Sequence, residues 1–161
     1  MKTALPIINL VSMTHLIFLC LWGGVVATEA VLELLPYRRR DLHSKTIEYH
    51  FWIDLLVELP LVLLVIASGV ALAWLAWPLS AAHFLKIGCA LVAVSANLIC
   101  IALVISRRGQ MKAGASEETL WRVTRRVVLC AVIGLPFSAV AAGLGFFLAY
   151  HRLLILLSPL H

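Results

Sequence analysis

Charged residues are scarce in this chain of 161 residues, at 13% of the total, whereas soluble domains carry about a quarter. Hydrophobic residues make up 63%, and the mean hydropathy is +1.02. A chain this apolar is excluded from the disordered and the ordinary soluble classes. Four transmembrane helices of roughly 20 to 25 residues with short loops would use the whole length. We therefore expect one all-α domain, residues 1–161, that is an integral membrane four-helix transmembrane bundle.

Cysteine pairs are also lacking. The four cysteines all lie inside apolar runs, and none forms a C-x-x-C pair: Cys20, Cys89, Cys100 and Cys130. Buried cysteine behaves as a small hydrophobic residue. Neither a disulfide framework nor a thiolate metal site is expected.

The basic residues are clustered, and few lie elsewhere. Ten of the thirteen lie in two groups between apolar runs: Arg38, Arg39, Arg40, Lys45, Arg107, Arg108, Lys112, Arg122, Arg125 and Arg126. Basic loops beside membrane helices face the cytoplasm. We expect an integral protein of the bacterial inner membrane with both termini periplasmic. The lipid bilayer is its expected surrounding, and no nucleic acid partner is expected. A lipid-binding or protein-binding role for these arginines stays open.

Proline and glycine positions limit the predicted helices, which run over residues 6–35, 47–77, 81–106 and 116–150, the last with an extension to 157 left open. Pro36 and Pro78 end the first two, and residues 109–116 form a loop. Ser116, followed by Glu117 and Glu118, is typical of a helix N-cap. The first apolar run resembles a signal peptide but continues to Pro36, which favours an uncleaved helix.

Ionisable residues inside these spans mark candidate sites, because an unpaired charge in lipid is costly. Helix periodicity places four interior candidates on one face of the first helix: His15, Trp22, Glu29 and Glu33. The second helix carries three at i, i+4 spacing: His50, Asp54 and Glu58. His15 and Glu29 are separated by about 21 Å along a helix. We therefore expect two sites.

The site nearer the periplasm contains His15, His83, Lys86 and His151. Imidazoles projecting into a membrane bundle can hold heme iron, with small residues making room for the porphyrin. The alternative is a hydrogen bond between helices from an interior histidine, with Lys86 reaching the interface.

The site nearer the cytoplasm contains Glu29, Glu33, His50, Asp54 and Glu58. Carboxylates and an imidazole suit a divalent metal ion. A proton path and ion pairing with Arg122, Arg125 and Arg126 are the other interpretations.

Short motifs on three helices resemble the HemJ/CopD-like membrane proteins. In this family a first-helix histidine is followed seven residues later by tryptophan and small residues, as in His15 to Trp22-Gly23-Gly24. The segment from Pro60 to Ser68-Gly69 resembles their second helix, and His83-Phe-Leu-Lys86 resembles the start of their third.

The resemblance implies heme b in the HemJ branch, whose members are protoporphyrinogen oxidases, and copper handling in the CopD branch. Carried over, His15 is an axial ligand and Lys86 a second ligand or site residue. The chain departs from the HemJ branch after Trp22, with Glu29 and Glu33 where that branch has an arginine and a further histidine.

The leading hypothesis is a b-type heme protein that transfers electrons to or from a quinone or a partner subunit, a candidate membrane oxidoreductase. Its cofactor-binding candidates are His15, Lys86, His83, His151 and Trp22. The alternatives are a metal-handling or proton-linked protein using the acidic site, and a non-catalytic subunit of a homo- or hetero-oligomeric complex.

Overall fold

The computed structural model describes the backbone of residues 4–157 and the side chains of residues 8–148 and 150. Within this range five α-helices follow one another: α1 Ala4–Arg38, α2 His43–Ile53, α3 Leu59–Leu75, α4 Ala81–Lys112 and α5 Glu117–Leu157. A 3-10 turn, Arg40–Leu42, precedes α2, and a π-helical segment, Asp54–Glu58, joins α2 to α3.

Four of the described helical spans are long and apolar enough to cross a membrane: Ile8–Arg38, Arg40–Leu75, Ala81–Lys112 and Glu117–Leu148. Their outward faces expose large apolar side chains, such as Leu10, Val70 and Val132, each more than half exposed. This surface suits hydrocarbon better than water. The predicted all-α architecture with four such spans is confirmed.

Three predicted helix bounds were wrong. Helix α1 continues through Pro36 to Arg38, and α4 continues past Ser106 to Lys112. Helix α2 begins at His43, four residues before the predicted start at residue 47. Pro36 falls in the last turn of α1, so its missing N–H and its ring disturb little of the helix. A glycine inside a helix such as α4 lowers the stability of the helix by only about 1 kcal/mol relative to alanine. The turn after α4 is made instead at Gly114, whose φ of 75° suits glycine.

The π-helical segment lies directly before Pro60, the second residue of α3. Proline has no N–H, and its ring clashes with the carbonyl four residues earlier. Widening the helix by one residue per turn before the proline relieves that clash. The segment begins at Asp54 and ends at Glu58, so both acidic residues lie on widened backbone.

The helices pack in two pairs. Helix α4 lies along α5, and α1 lies along α3, while α2 contacts both α1 and α4. Trp22, Val62 and Val65 form the hydrophobic core between α1 and α3. The closest packing is therefore within each pair, and α1 and α5 face each other across a looser contact.

Candidate functional site

Five acidic or histidine side chains are buried together where α1 meets α2 and the π-helical segment. Their exposed fractions are 5% or less: Glu29, Glu33, His50, Asp54 and Glu58. The prediction that these residues face the interior of the bundle is confirmed. Buried carboxyl groups in a membrane span need partners, so the contacts of each one decide what this acidic cluster can do.

Arg107 supplies the buried positive charge. Its side chain is fully buried, and its Nη1 and Nη2 donate to Oε2 and Oε1 of Glu33 at 2.9 and 2.5 Å. The Nη1 group also donates to the Thr124 hydroxyl at 2.9 Å. Such a two-point contact is the strongest form of an arginine–carboxylate pair. The negative charge of Glu33 is therefore compensated by the guanidinium of Arg107.

The ion-pairing interpretation of the sequence named the wrong arginines. The side chains in question are all exposed on α5: Arg122, Arg125 and Arg126. Arg122 lies 3.7 Å from the exposed Glu118, one turn earlier. The reason is the length of α4, which carries Arg107 into the bundle as part of the helix.

His50 lies at the centre of the acidic cluster. Its Nδ1 contacts Oε1 of Glu33. Its Nε2 lies 3.1 Å from Oδ1 of Asp54 and 3.9 Å from Oε2 of Glu29. Glu33 thus fixes the ring so that Nε2 points at two further carboxyl groups.

Glu58 has its own pair of donors. Its Oε1 accepts hydrogen bonds from the Trp22 indole at 3.2 Å and from the Asn97 amide at 2.5 Å. Trp22 belongs to α1 and Asn97 to α4, so Glu58 ties three helices together. Both donors reach the same oxygen.

Several buried polar atoms in this cluster have no hydrogen-bond partner. Among the described residues these include Glu29 Oε1, His50 Nε2 and both carboxyl oxygens of Asp54. Donor atoms from these three residues lie within 4.8 Å of one another. His50 Nε2 and Asp54 Oδ1 are nevertheless within ion-pair distance, at 3.1 Å. Buried polar atoms without a hydrogen bond are costly, so this group of two carboxyl groups and one imidazole suits a bound cation.

The charges in the cluster do not balance. Four carboxyl groups, those of Glu29, Glu33, Asp54 and Glu58, face one guanidinium and one imidazole in the described interior. Glu33 is matched by Arg107, and His50 can compensate at most one of the remaining three carboxylates. The cluster must therefore take up cations, either protons or a metal ion.

An apolar cavity of about 210 Å³ adjoins the cluster between α1, α4 and α5. Small residues such as Ala93, Ala96 and Ala131 form part of its wall. Glu29 and Glu58 line it where it meets the cluster. This arrangement gives a hydrophobic space with acidic groups on one side.

The candidate residues of the predicted heme site lie outside the acidic cluster. His15 Nδ1 lies 2.8 Å from the Ser68 hydroxyl, and His83 Nδ1 lies 2.8 Å from the Ser80 hydroxyl at the start of α4. Lys86 Nζ packs against α5, where it lies 3.2 Å from the position of a Cβ built on Gly145. The lining of the 210 Å³ cavity includes Trp22 but not His15, His83 or Lys86. His151 lies in α5, and its side chain is outside the described residues.

Sequence reasoning did not place three residues that complete the acidic cluster. Arg107 was assigned to a loop, although it follows the buried Val104 by three residues, the spacing of one helix face. Thr124 and His43 bond to each other at 3.0 Å and are both buried. His43 also stacks on Trp121, with ring centroids 4.3 Å apart. The available signal in the sequence was a polar residue at helical spacing from apolar residues that are buried.

Comparison of the chain with protein families, with curated proteins and with solved structures finds no match. The resemblance to the HemJ/CopD-like proteins stays a prediction.

Proposed function

We propose that this protein is a metal-handling membrane protein whose ligands for one divalent ion are Glu29, His50 and Asp54. The observation that carries the proposal is that one ligand atom from each of these three buried residues lies within 4.8 Å of the other two. Carboxylate and imidazole ligands suit first-row divalent ions such as Zn²⁺, Mn²⁺ and Fe²⁺. A divalent ion would also compensate the two carboxylates that bind it.

The other two residues of the predicted site take supporting roles in this proposal. Glu33 holds Nδ1 of His50 and so directs Nε2 toward the ion, as second-sphere carboxylates do in many metal sites. Arg107 keeps Glu33 charged and in place. Glu58 lies beside the ion and is held by Trp22 and Asn97.

Metal binding at such a site is linked to protons. An imidazole and carboxylates must lose their protons to bind a metal ion, and the unbalanced cluster carries protons when no metal is bound. The metal-handling and proton-linked alternatives are thus two aspects of one site. Protons and the divalent ion compete for it.

The test is equilibrium dialysis of the purified protein against Zn²⁺, with the bound metal counted by mass spectrometry. We expect one Zn²⁺ per chain, and loss of it in Asp54→Asn, which keeps the size of the side chain. Glu33→Gln should weaken binding by about 10- to 100-fold, because the imidazole loses its orienting carboxylate. Glu118→Gln is the matched control, because Glu118 is exposed. No bound Zn²⁺ in the wild type, or unchanged binding in Asp54→Asn, would overturn the proposal.

The proposed setting is the bacterial inner membrane, with the basic loops cytoplasmic and both termini periplasmic. Contacts between the two basic regions support placing them on one side. Tyr37 meets Trp121 with ring centroids 5.0 Å apart, and Arg108 donates to Glu48 at 2.8 Å. The positive-inside rule then assigns that side.

Heme binding with electron transfer to a quinone or partner subunit stays a prediction. One observation favours an oriented histidine: Ser68 holds Nδ1 of His15, so Nε2 is the nitrogen that would ligate iron. Gly69 allows the ring to approach α3, since an added Cβ would lie 3.4 Å from Cε1. The role of a non-catalytic subunit in a larger complex also stays a prediction.

A further inference from the structure

The 210 Å³ cavity meets the surface of the bundle among residues that face hydrocarbon. Leu34 on α1 and Val132 and Leu135 on α5 line it and are 58%, 61% and 41% exposed. All three lie within the spans long and apolar enough to cross a membrane. A ligand of this cavity would therefore arrive from within the bilayer, which requires that most of it be apolar.

The inner end of the cavity is polar and offers acceptors. Glu58 and Asn97 both line it. Both donors to Glu58 reach Oε1, and the Asn97 Oδ1 atom is buried without a hydrogen-bond partner. A group that completes this end must donate hydrogen bonds.

The balance of buried charges indicates which charge the hydrogen-bond donor in the cavity carries. This argument rests on the proposed function. Glu33 is matched by Arg107, and a divalent ion would match Glu29 and Asp54. Glu58 is then the remaining carboxylate, 1% exposed and at the cavity wall. An unpaired carboxylate is costly in a membrane interior, and either a proton or a positive group beside Glu58 relieves that cost.

We infer that the cavity between α1, α4 and α5 binds a lipid-soluble organic cation, with its ammonium group at Glu58 and Asn97 and its apolar body among Ala93, Ala96 and Ala131. The ammonium group donates to the Glu58 carboxylate and to Asn97 Oδ1. The indole of Trp22 also lines this space, and aromatic rings favour contact with cations. The apolar body fills the opening toward the lipid.

The test is isothermal titration of the protein in lipid nanodiscs with phenylbutylamine, with the heat of empty nanodiscs subtracted. Phenylbutanol, which has the same body and a neutral hydroxyl donor, is titrated in parallel. We expect saturable binding of the amine, at least about tenfold tighter than that of the alcohol, or ~1.4 kcal/mol. Equal binding of the two would show that a neutral donor suffices, as in a quinol, and would overturn the inference. Absence of saturable amine binding would overturn it as well.

Two variants locate the binding. Glu58→Gln keeps the acceptor for Trp22 and Asn97 but removes the charge, and Ala131→Leu fills the cavity. Each should weaken amine binding by about tenfold or more. The control Ala139→Leu adds the same bulk at an exposed alanine of α5 outside the cavity lining. Unchanged amine binding in Ala131→Leu would overturn the proposed location.

Zn²⁺ binding measured on the same variants separates this inference from the proposed function. Ala131→Leu should keep its Zn²⁺ while losing the amine. Suppose that Asp54→Asn loses Zn²⁺ and that the wild type shows no amine binding. This result would support the metal site and overturn the inference that the cavity binds a cation. Saturable amine binding without Zn²⁺ binding would support the cation cavity and overturn the metal site.

Discussion

Arg107 and Glu33 are joined by two hydrogen bonds although they are 74 residues apart in the chain. Both side chains are nearly or fully buried, and the pair links α4 to α1 beside the acidic cluster. Removing one member of a buried pair leaves the other charge uncompensated. This relationship makes the pair the main electrostatic support of the site.

We therefore expect Arg107→Leu to lower the free energy of unfolding by about 3 to 5 kcal/mol. The double variant Arg107→Leu/Glu33→Leu should recover a large part of this loss, because the carboxylate that Arg107 compensated is removed together with it. The measurement is denaturant unfolding in detergent. Arg122→Leu is the control, since its exposed pair with Glu118 contributes less than about 1 kcal/mol. Equal losses in the two single variants would contradict the prediction.

Trp22 and Trp52 both donate to glutamates, but in different surroundings. Trp22 donates to the buried Glu58 at 3.2 Å, and Trp52 donates at 3.1 Å to the half-buried Glu48, which Arg108 also contacts. Replacing Trp22 by Phe leaves a buried acceptor with one donor fewer, which costs about 1 to 3 kcal/mol. Trp52→Phe should cost less, because water replaces the lost donor. The free energies of unfolding of both variants test this; a larger loss in Trp52→Phe would refute it.

The side of the membrane on which the basic loops lie can be measured directly. A reporter inserted near Ala113 should be active in the cytoplasm, and one fused after His161 should be active in the periplasm. The reason is the clustering of ten of the thirteen basic residues in two stretches of the sequence between apolar runs. The opposite pattern of reporter activity would reverse the assignment of the acidic cluster to the cytoplasmic side.

The heme hypothesis predicts that His15→Ala removes bound heme and that His50→Ala does not. The Nδ1 atom of His15 lies 2.8 Å from the Ser68 hydroxyl, whereas His50 is held among carboxyl groups. A pyridine hemochrome assay on the wild type and both variants at matched expression measures this. Heme retained in His15→Ala, or no heme in the wild type, would refute the hypothesis.

Much of the acidic cluster could be predicted from the sequence. Helical spacing placed Glu29 and Glu33 on one face of the first helix, and the i, i+4 spacing of His50 and Asp54 placed those residues together. Both faces are buried in the structure. The π-helical backbone under Asp54 could not be predicted from spacing, because it depends on how the chain accommodates Pro60 within a continuous span.

The sequence by itself determined the solvent of this protein and the number of its helical spans, because hydropathy and charge act along the chain. It also determined that Glu29 and Glu33 on the first span, and His50, Asp54 and Glu58 on the second, turn inward, because burial follows helical period. Only the tertiary structure decided that Arg107 rather than an α5 arginine meets Glu33, and that His50 Nε2 faces Asp54 and Glu29. Those contacts depend on the rotation and axial offset of one helix against another, and many distant packing contacts together set these two quantities.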